Sequence, residues 1–259
     1  TPTLSDITLT YVVNAAPSIQ TVTASQGSSG TVSVSYEVKD TDTNSGTVNP
    51  GYITPSFEYW SGSSWANITS GLATIATTTK VVNQSTFTSY NTTWTASTTI
   101  GSQYYSAAKI RVTANDGEAA NNTATAESST FVLDTTAPSS VSILVKATTT
   151  PAIINLSASD NSSIQMKVGL NSDLSDASWE SYSASKSLSL ATNPDTVYAR
   201  FKDAYGNESS TISASSQTTP SNMMIQDTSN INASPDELRF FLAWDVVSDP
   251  ALGFGSYHV

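Results

Sequence analysis

The chain has 259 residues, 12% of them charged, a formal net charge of −11, and about a third of its positions filled by Ser or Thr. So acidic a chain excludes a nucleic-acid partner, which asks for a basic face to displace counterions from phosphates. Cysteine is absent, which excludes disulfides and thiolate metal sites, and no run of about 18 apolar residues is present to span a membrane.

Taken in order, Ile7-Thr8-Leu9-Thr10-Tyr11-Val12-Val13 reads as the last strand of a preceding domain, and residues 1–16 are assigned to that strand and its joint. The joint is Asn14-Ala15-Ala16-Pro17. Proline gives no ladder hydrogen bond and pushes its predecessor into extended geometry, which suits a short stiff connection between sheets. The same punctuation returns at Asp134-Thr135-Thr136-Ala137-Pro138 and at Thr218-Thr219-Pro220. These joints divide the chain into modules at 17–136, 137–219 and 220–259, and the last stops in mid-pattern at Val259. The chain is therefore expected to be an excerpt of something longer.

In the first module, Val32, Val34, Tyr36 and Val38 alternate with Ser33, Ser35 and Glu37, as a half-buried strand requires. Further strands are predicted around Ser56 to Trp60, Thr77 to Val82, Thr92 to Thr98 and Ala107 to Ala114, before a closing strand that ends at Asp134. In the second, the inward stripes are Val141, Ile143 and Val145, then Ala152, Ile154, Leu156 and Ala158, then Ile164, Met166, Val168 and Leu170. Val197, Ala199 and Phe201 alternate against Tyr198, Arg200 and Lys202, and Ile212 and Ala214 lie on the last strand. Many short strands, regular turn signals and no helical crossover predict an all-β chain of tandem two-sheet sandwiches, arranged as elongated beads on a string.

The Asp134-Thr135-Thr136-Ala137-Pro138 joint, the Ser159-Asp160-Asn161 loop and the Tyr198 to Asn207 segment resemble the immunoglobulin-like and fibronectin type III-like repeats of bacterial cell-surface proteins. The third segment, with Leu238, Phe240, Leu242, Trp244 and Tyr257, is similar to the opening of a fibronectin type III domain. The resemblance implies a corner role for Tyr198, whose hydroxyl would bond back to the main chain. It speaks to fold, since such folds host adhesion, scaffolding and enzyme-appendage roles alike.

Asp40-Thr41-Asp42-Thr43-Asn44-Ser45-Gly46 has the alternating oxygen ligands of a calcium loop, yet its twelfth position is Gly51 rather than the bidentate glutamate of an EF-hand. A solvated turn rich in Asp and Asn accounts for the same residues. Sandwich topology gathers Asp40, Asp42 and Asn44 with Asp116 and Glu118 near Asn14, and it gathers Asp160 and Asn161 with Asp203 and Asn207 near Asp134. Clustered carboxylates repel unless a cation or donors compensate, so Ca2+ at both joints is the expected cofactor.

Catalysis is not expected. The single histidine, His258, gives no partner set for a relay or a metal cluster, and no stretch signals the cleft that a pair of glycosidase carboxylates needs. Trp60 and Trp65 flank a Ser-Gly-Ser-Ser turn and are the candidate sugar-stacking rings, although sandwich cores use such rings too. The expected role is a stalk, scaffold or adhesive filament of an extracellular prokaryotic surface protein. Its partners are neighbouring domains and, in a fibre or surface layer, copies of itself. An accessory glycan-binding region of a secreted enzyme and a viral tail-fibre segment are the alternatives.

Overall fold

In the computed structural model, residues 13–28, 30–42, 51–146, 151–190, 195–216, 223–225 and 242–244 are described, nearly all in antiparallel strands or the turns joining them. They gather into two compact units. The first takes the described residues of Thr1–Ser139 with the loops Ser159–Gln165 and Phe201–Ser209; the second takes those of Ser140–Ala158, Met166–Arg200 and Ser210–Val259. The chain is all-β in class.

In the first unit, β1 (Ser18–Gln26), β2 (Thr31–Lys39), β3 (Gly51–Trp60), β4 (Trp65–Asn67), β5 (Lys80–Val82) and β6 (Thr88–Thr95) precede a four-residue helix, α1 (Ser97–Ile100). Then come β7 (Tyr104–Asn115), β8 (Thr123–Glu127) and β9 (Phe131–Asp134). One sheet runs β1-β2-β6 and the other β4-β3-β7-β8, with β5 on β3 and β9 on β7. The period-two stripes meet across the sandwich: Tyr36 of β2 packs edge-on against Phe57 of β3 at 5.9 Å, and Tyr59 lies 5.4 Å from Trp94 of β6. Val32, Trp94, Ile110, Val112 and Leu133 are fully buried in this core.

Several boundaries differ from the sequence expectation, β5 starting at Lys80 rather than Thr77 and β7 at Tyr104 rather than Ala107, and two further ones have a plain physical reason. The strand predicted to begin at Ser56 begins at Gly51 and runs through Pro55. Pro55 is tolerated because β5 pairs only with Gly51–Ile53 and β4 only with Glu58–Trp60, so the missing N–H falls in the gap between them. The strand predicted over Thr92 to Thr98 is β6, which ends at Thr95, and Ser97 to Ile100 turn into α1. There the hydroxyl of Thr99 accepts the buried Trp94 indole N–H at 3.0 Å.

The second unit begins with β10 (Ser139–Lys146), β11 (Ala152–Ser159), β12 (Gln165–Gly169) and β13 (Glu180–Ser181), and continues with β14 (Ser185–Leu188), β15 (Thr196–Lys202) and β16 (Ile212–Ser215). Its sheets are β10-β11-β14 and β13-β12-β15-β16, the path of the first unit without a counterpart of β5 and with one strand, β16, in place of β8 and β9. Val145, Ala152, Ile154, Leu156, Met166, Val168, Val197 and Ala199 are buried, on the faces their alternation predicts. Tyr198 lies on the opposite face of β15 from Val197 and Ala199, as the alternation predicts. A two-stranded hairpin, β17 (Met223–Ile225) and β18 (Leu242–Trp244), completes the described residues; Tyr257 and His258 lie outside them.

Candidate metal centre

Asp134 closes β9, and Asp160 and Asp203 are the first residues after β11 and β15. Each sits where a strand gives way to a turn, and each uses its Oδ1 to hold the backbone N–H two residues on: Thr136 at 2.9 Å, Ser162 at 2.8 Å and Tyr205 at 2.9 Å. This is the local bond that makes aspartate a turn residue, and it fixes the carboxylate to its own loop. Asp203 also takes the Asn207 N–H at 2.7 Å, and Asp160 takes the Ser162 hydroxyl at 2.9 Å.

The three loops converge. One carboxylate oxygen from each of Asp134, Asp160 and Asp203 lies within 4.8 Å of the other two. All three belong to the first compact unit. Asp134 is 0% exposed and Asp203 2%, and the Oδ2 of Asp134 has no hydrogen-bond partner. Burial, reinforced by the charges of Asp160 and Asp203, pushes the Asp134 carboxyl up to about 6. Burial also raises Asp203, against the donors of Asn207. Three acids so placed, two of them out of water, need a proton or a cation to offset their repulsion.

Two amides brace the cluster. Gln26, the last residue of β1, grips the Asp134 main chain at both ends, donating to its carbonyl at 2.7 Å and accepting its N–H at 2.7 Å. Asn207 donates from Nδ2 to the Asp134 carbonyl at 2.9 Å and to Asp203 Oδ2 at 2.7 Å. Asn207 thus orients Asp203 through its Nδ2. Nothing in the sequence singles out Gln26, because its role depends on a register set by the fold.

Asp40, Asp42 and Asp116 also meet. Asp40 and Asp116 are buried, and Asp40 is pushed up to about 6, by burial first and then by the side chain of Asp42, to which its protonated carboxyl donates. Asn14 joins them, donating from Nδ2 to Asp116 Oδ2 at 3.1 Å. Asn44 lies outside the described residues. The signal for Asn14 was present in the sequence, since it stands before Pro17 as Asp134 stands before Pro138.

Trp60 and Trp65 are cross-strand neighbours on the outer face of β3 and β4, their rings 5.5 Å apart. The guanidinium of Arg111 covers one face of Trp65 at 3.8 Å and pairs with Glu127 at 2.9 Å and Glu58 at 3.5 Å. A ring face that a sugar would stack on is thereby occupied by the chain's own cation. A groove of about 480 Å3 lies over the outer face of β1, β2 and β6, lined by Thr23, Ser25, Ser33, Ser35, Asn91 and Thr93 beside Ile75.

No protein-family model matches the chain, and no curated protein matches it. Among solved structures it is similar to a chain from "Chaperone-tip adhesin complex is vital for synergistic activation of CFA/I fimbriae biogenesis", at 11% identity over 78% of this chain and 99% of that one, with a TM-score of 0.30.

Proposed function

We propose that this chain is a non-catalytic structural segment of an extracellular prokaryotic surface protein, a stalk, scaffold or adhesive filament, stiffened by calcium held at Asp134, Asp160 and Asp203. Two observations together carry the cation: the Oδ2 of a fully buried Asp134 has no partner, and a carboxylate oxygen of Asp134 lies within 4.8 Å of one from each of Asp160 and Asp203. An all-oxygen set selects a hard cation, and Ca2+ tolerates the irregular geometry that three separate loops provide. The mechanical reading draws on the small sandwiches, the proline that follows each cluster, and a surface of short hydroxyl side chains.

At an affinity typical of extracellular modules, about 0.1 mM, calcium at about 1 to 10 mM stabilises the folded state by roughly 1.4 to 2.7 kcal/mol. Calorimetric titration with CaCl2 is expected to show binding in that range. Thermal melts are expected to shift upward with calcium and back with chelator, and melting curves that coincide under both conditions would falsify the reading.

A further inference from the structure

The two acidic clusters are built on the same plan. Asp40 follows β2 and Asp116 follows β7, as Asp160 follows β11 and Asp203 follows β15, and each carboxylate receives the N–H two residues on. The third place is held by the residue that opens a proline-ended joint, Asn14 ahead of Ala15-Ala16-Pro17 in one cluster and Asp134 ahead of Thr135-Thr136-Ala137-Pro138 in the other. Even the bracing amide recurs: Asn121 donates to the Asn14 carbonyl at 3.1 Å, as Asn207 donates to that of Asp134 at 2.9 Å.

The chemistry at that third place differs. Asn14 carries two N–H hydrogens and directs its amide nitrogen to Asp116 Oδ2, to the Ala120 carbonyl at 2.8 Å and to the Asn121 carbonyl at 3.1 Å. Asp134 brings a carboxylate with no hydrogens to give, and its Oδ2 is left without a partner. In the Asn14 cluster, Asp42 Oδ2 is also engaged, by the Ala15 N–H at 2.6 Å. Two buried oxygens remain there without a partner among the described residues, Asp40 Oδ2 and Asp42 Oδ1, but among those residues it is Asp134, Asp160 and Asp203 that bring three carboxylate oxygens within 4.8 Å of one another.

We propose that the two clusters hold one calcium ion rather than two, and that the residue opening each joint decides which: the Asn14 amide closes its cluster with its own hydrogens, whereas Asp134 leaves its cluster open to the ion. This rests on the cation reading above and adds to it a rule for which cluster is filled.

The test is calcium stoichiometry by calorimetric titration of the full chain, with thermal melts in calcium and in chelator. Wild type is expected to bind one ion, Asp134→Asn none, and Asn14→Asp two. Asp134→Asn is also expected to melt at the same temperature with and without chelator. A wild-type value of two, or one retained by folded Asp134→Asn, overturns the proposal while leaving calcium binding intact. A wild-type value of zero removes the cation reading itself. Should Asn14→Asp unfold in chelator, recovery of its circular dichroism spectrum on adding calcium is the expected result, and failure to recover counts against the proposal.

Discussion

A single carboxylate, that of Asp134, divides its two oxygens between tasks. Oδ1 holds the turn through Thr136, and Oδ2 is left with nothing to bond in a carboxylate gathered with those of Asp160 and Asp203. Its folded carboxyl titrates at about 6 against a usual 3.8. Between those values the folded chain binds more protons than the unfolded one, so without cation this group's contribution is best at low pH and is lost as pH rises through 6. A displacement of that size corresponds to roughly 3 kcal/mol for a group this deeply buried. Asp40, pushed up to about 6 as well, works in the same direction. Scanning calorimetry in chelator is therefore expected to show a higher melting temperature at pH 5 than at pH 7.5. Added calcium is expected to narrow the gap, since the ion offsets the same repulsion at neutral pH. A chelated melting temperature that falls on acidification from 7.5 to 5 refutes this account of the two acids.

At the scale of strands, hydroxyls stand in for main-chain groups wherever a closing strand leaves its ladder. Ser128 donates its N–H to the Ile110 carbonyl at 2.8 Å and accepts the Ile110 N–H on its side chain at 3.0 Å. Ser209 clasps Phe201 in the same way, Thr135 clasps Gln103, and Ser216 clasps Asp195. All four hydroxyl residues are buried. This was not legible beforehand. In a chain so rich in Ser and Thr, a serine that faces solvent and one that completes a buried ladder are the same letter, and only the register between β7 and the 128–135 segment tells them apart. Ser128→Ala strands a buried N–H on Ile110 and is expected to cost about 1–3 kcal/mol by urea denaturation. Ser128→Thr, which keeps the oxygen, is expected to cost less. Equal losses would show that the hydroxyl carries no such bond.

For the molecule as a whole, period-two alternation made the class legible, because Val32, Val34, Tyr36 and Val38 bury one face and Ile154 and Leu156 bury another with no helical pattern to compete. The convergence of Asp134, Asp160 and Asp203 was legible from topology, since in this strand order the loops after the second and sixth strands share an end. The difference between the two clusters was not, because it depends on where one amide nitrogen points. Trp94 shows the same limit: its place in a polar Thr-rich strand does not mark it as core, yet it is wholly enclosed, against Tyr59 and bonded to Thr99. Trp94→Ala is expected to lose about 3–5 kcal/mol, measured by urea denaturation of the first unit's transition. A loss below 1 kcal/mol would place the ring outside the core.

The groove above β1, β2 and β6 carries a further consequence. Its floor is a grid of Thr23, Ser25, Ser33, Ser35, Asn91 and Thr93, side chains with one or two rotors and no net charge. Pinning such residues sacrifices far less rotational freedom than pinning lysines or glutamates, and no counterions need be shed. Contact on this face is therefore expected to respond weakly to ionic strength and to be governed by how well water's bonds to the grid can be replaced.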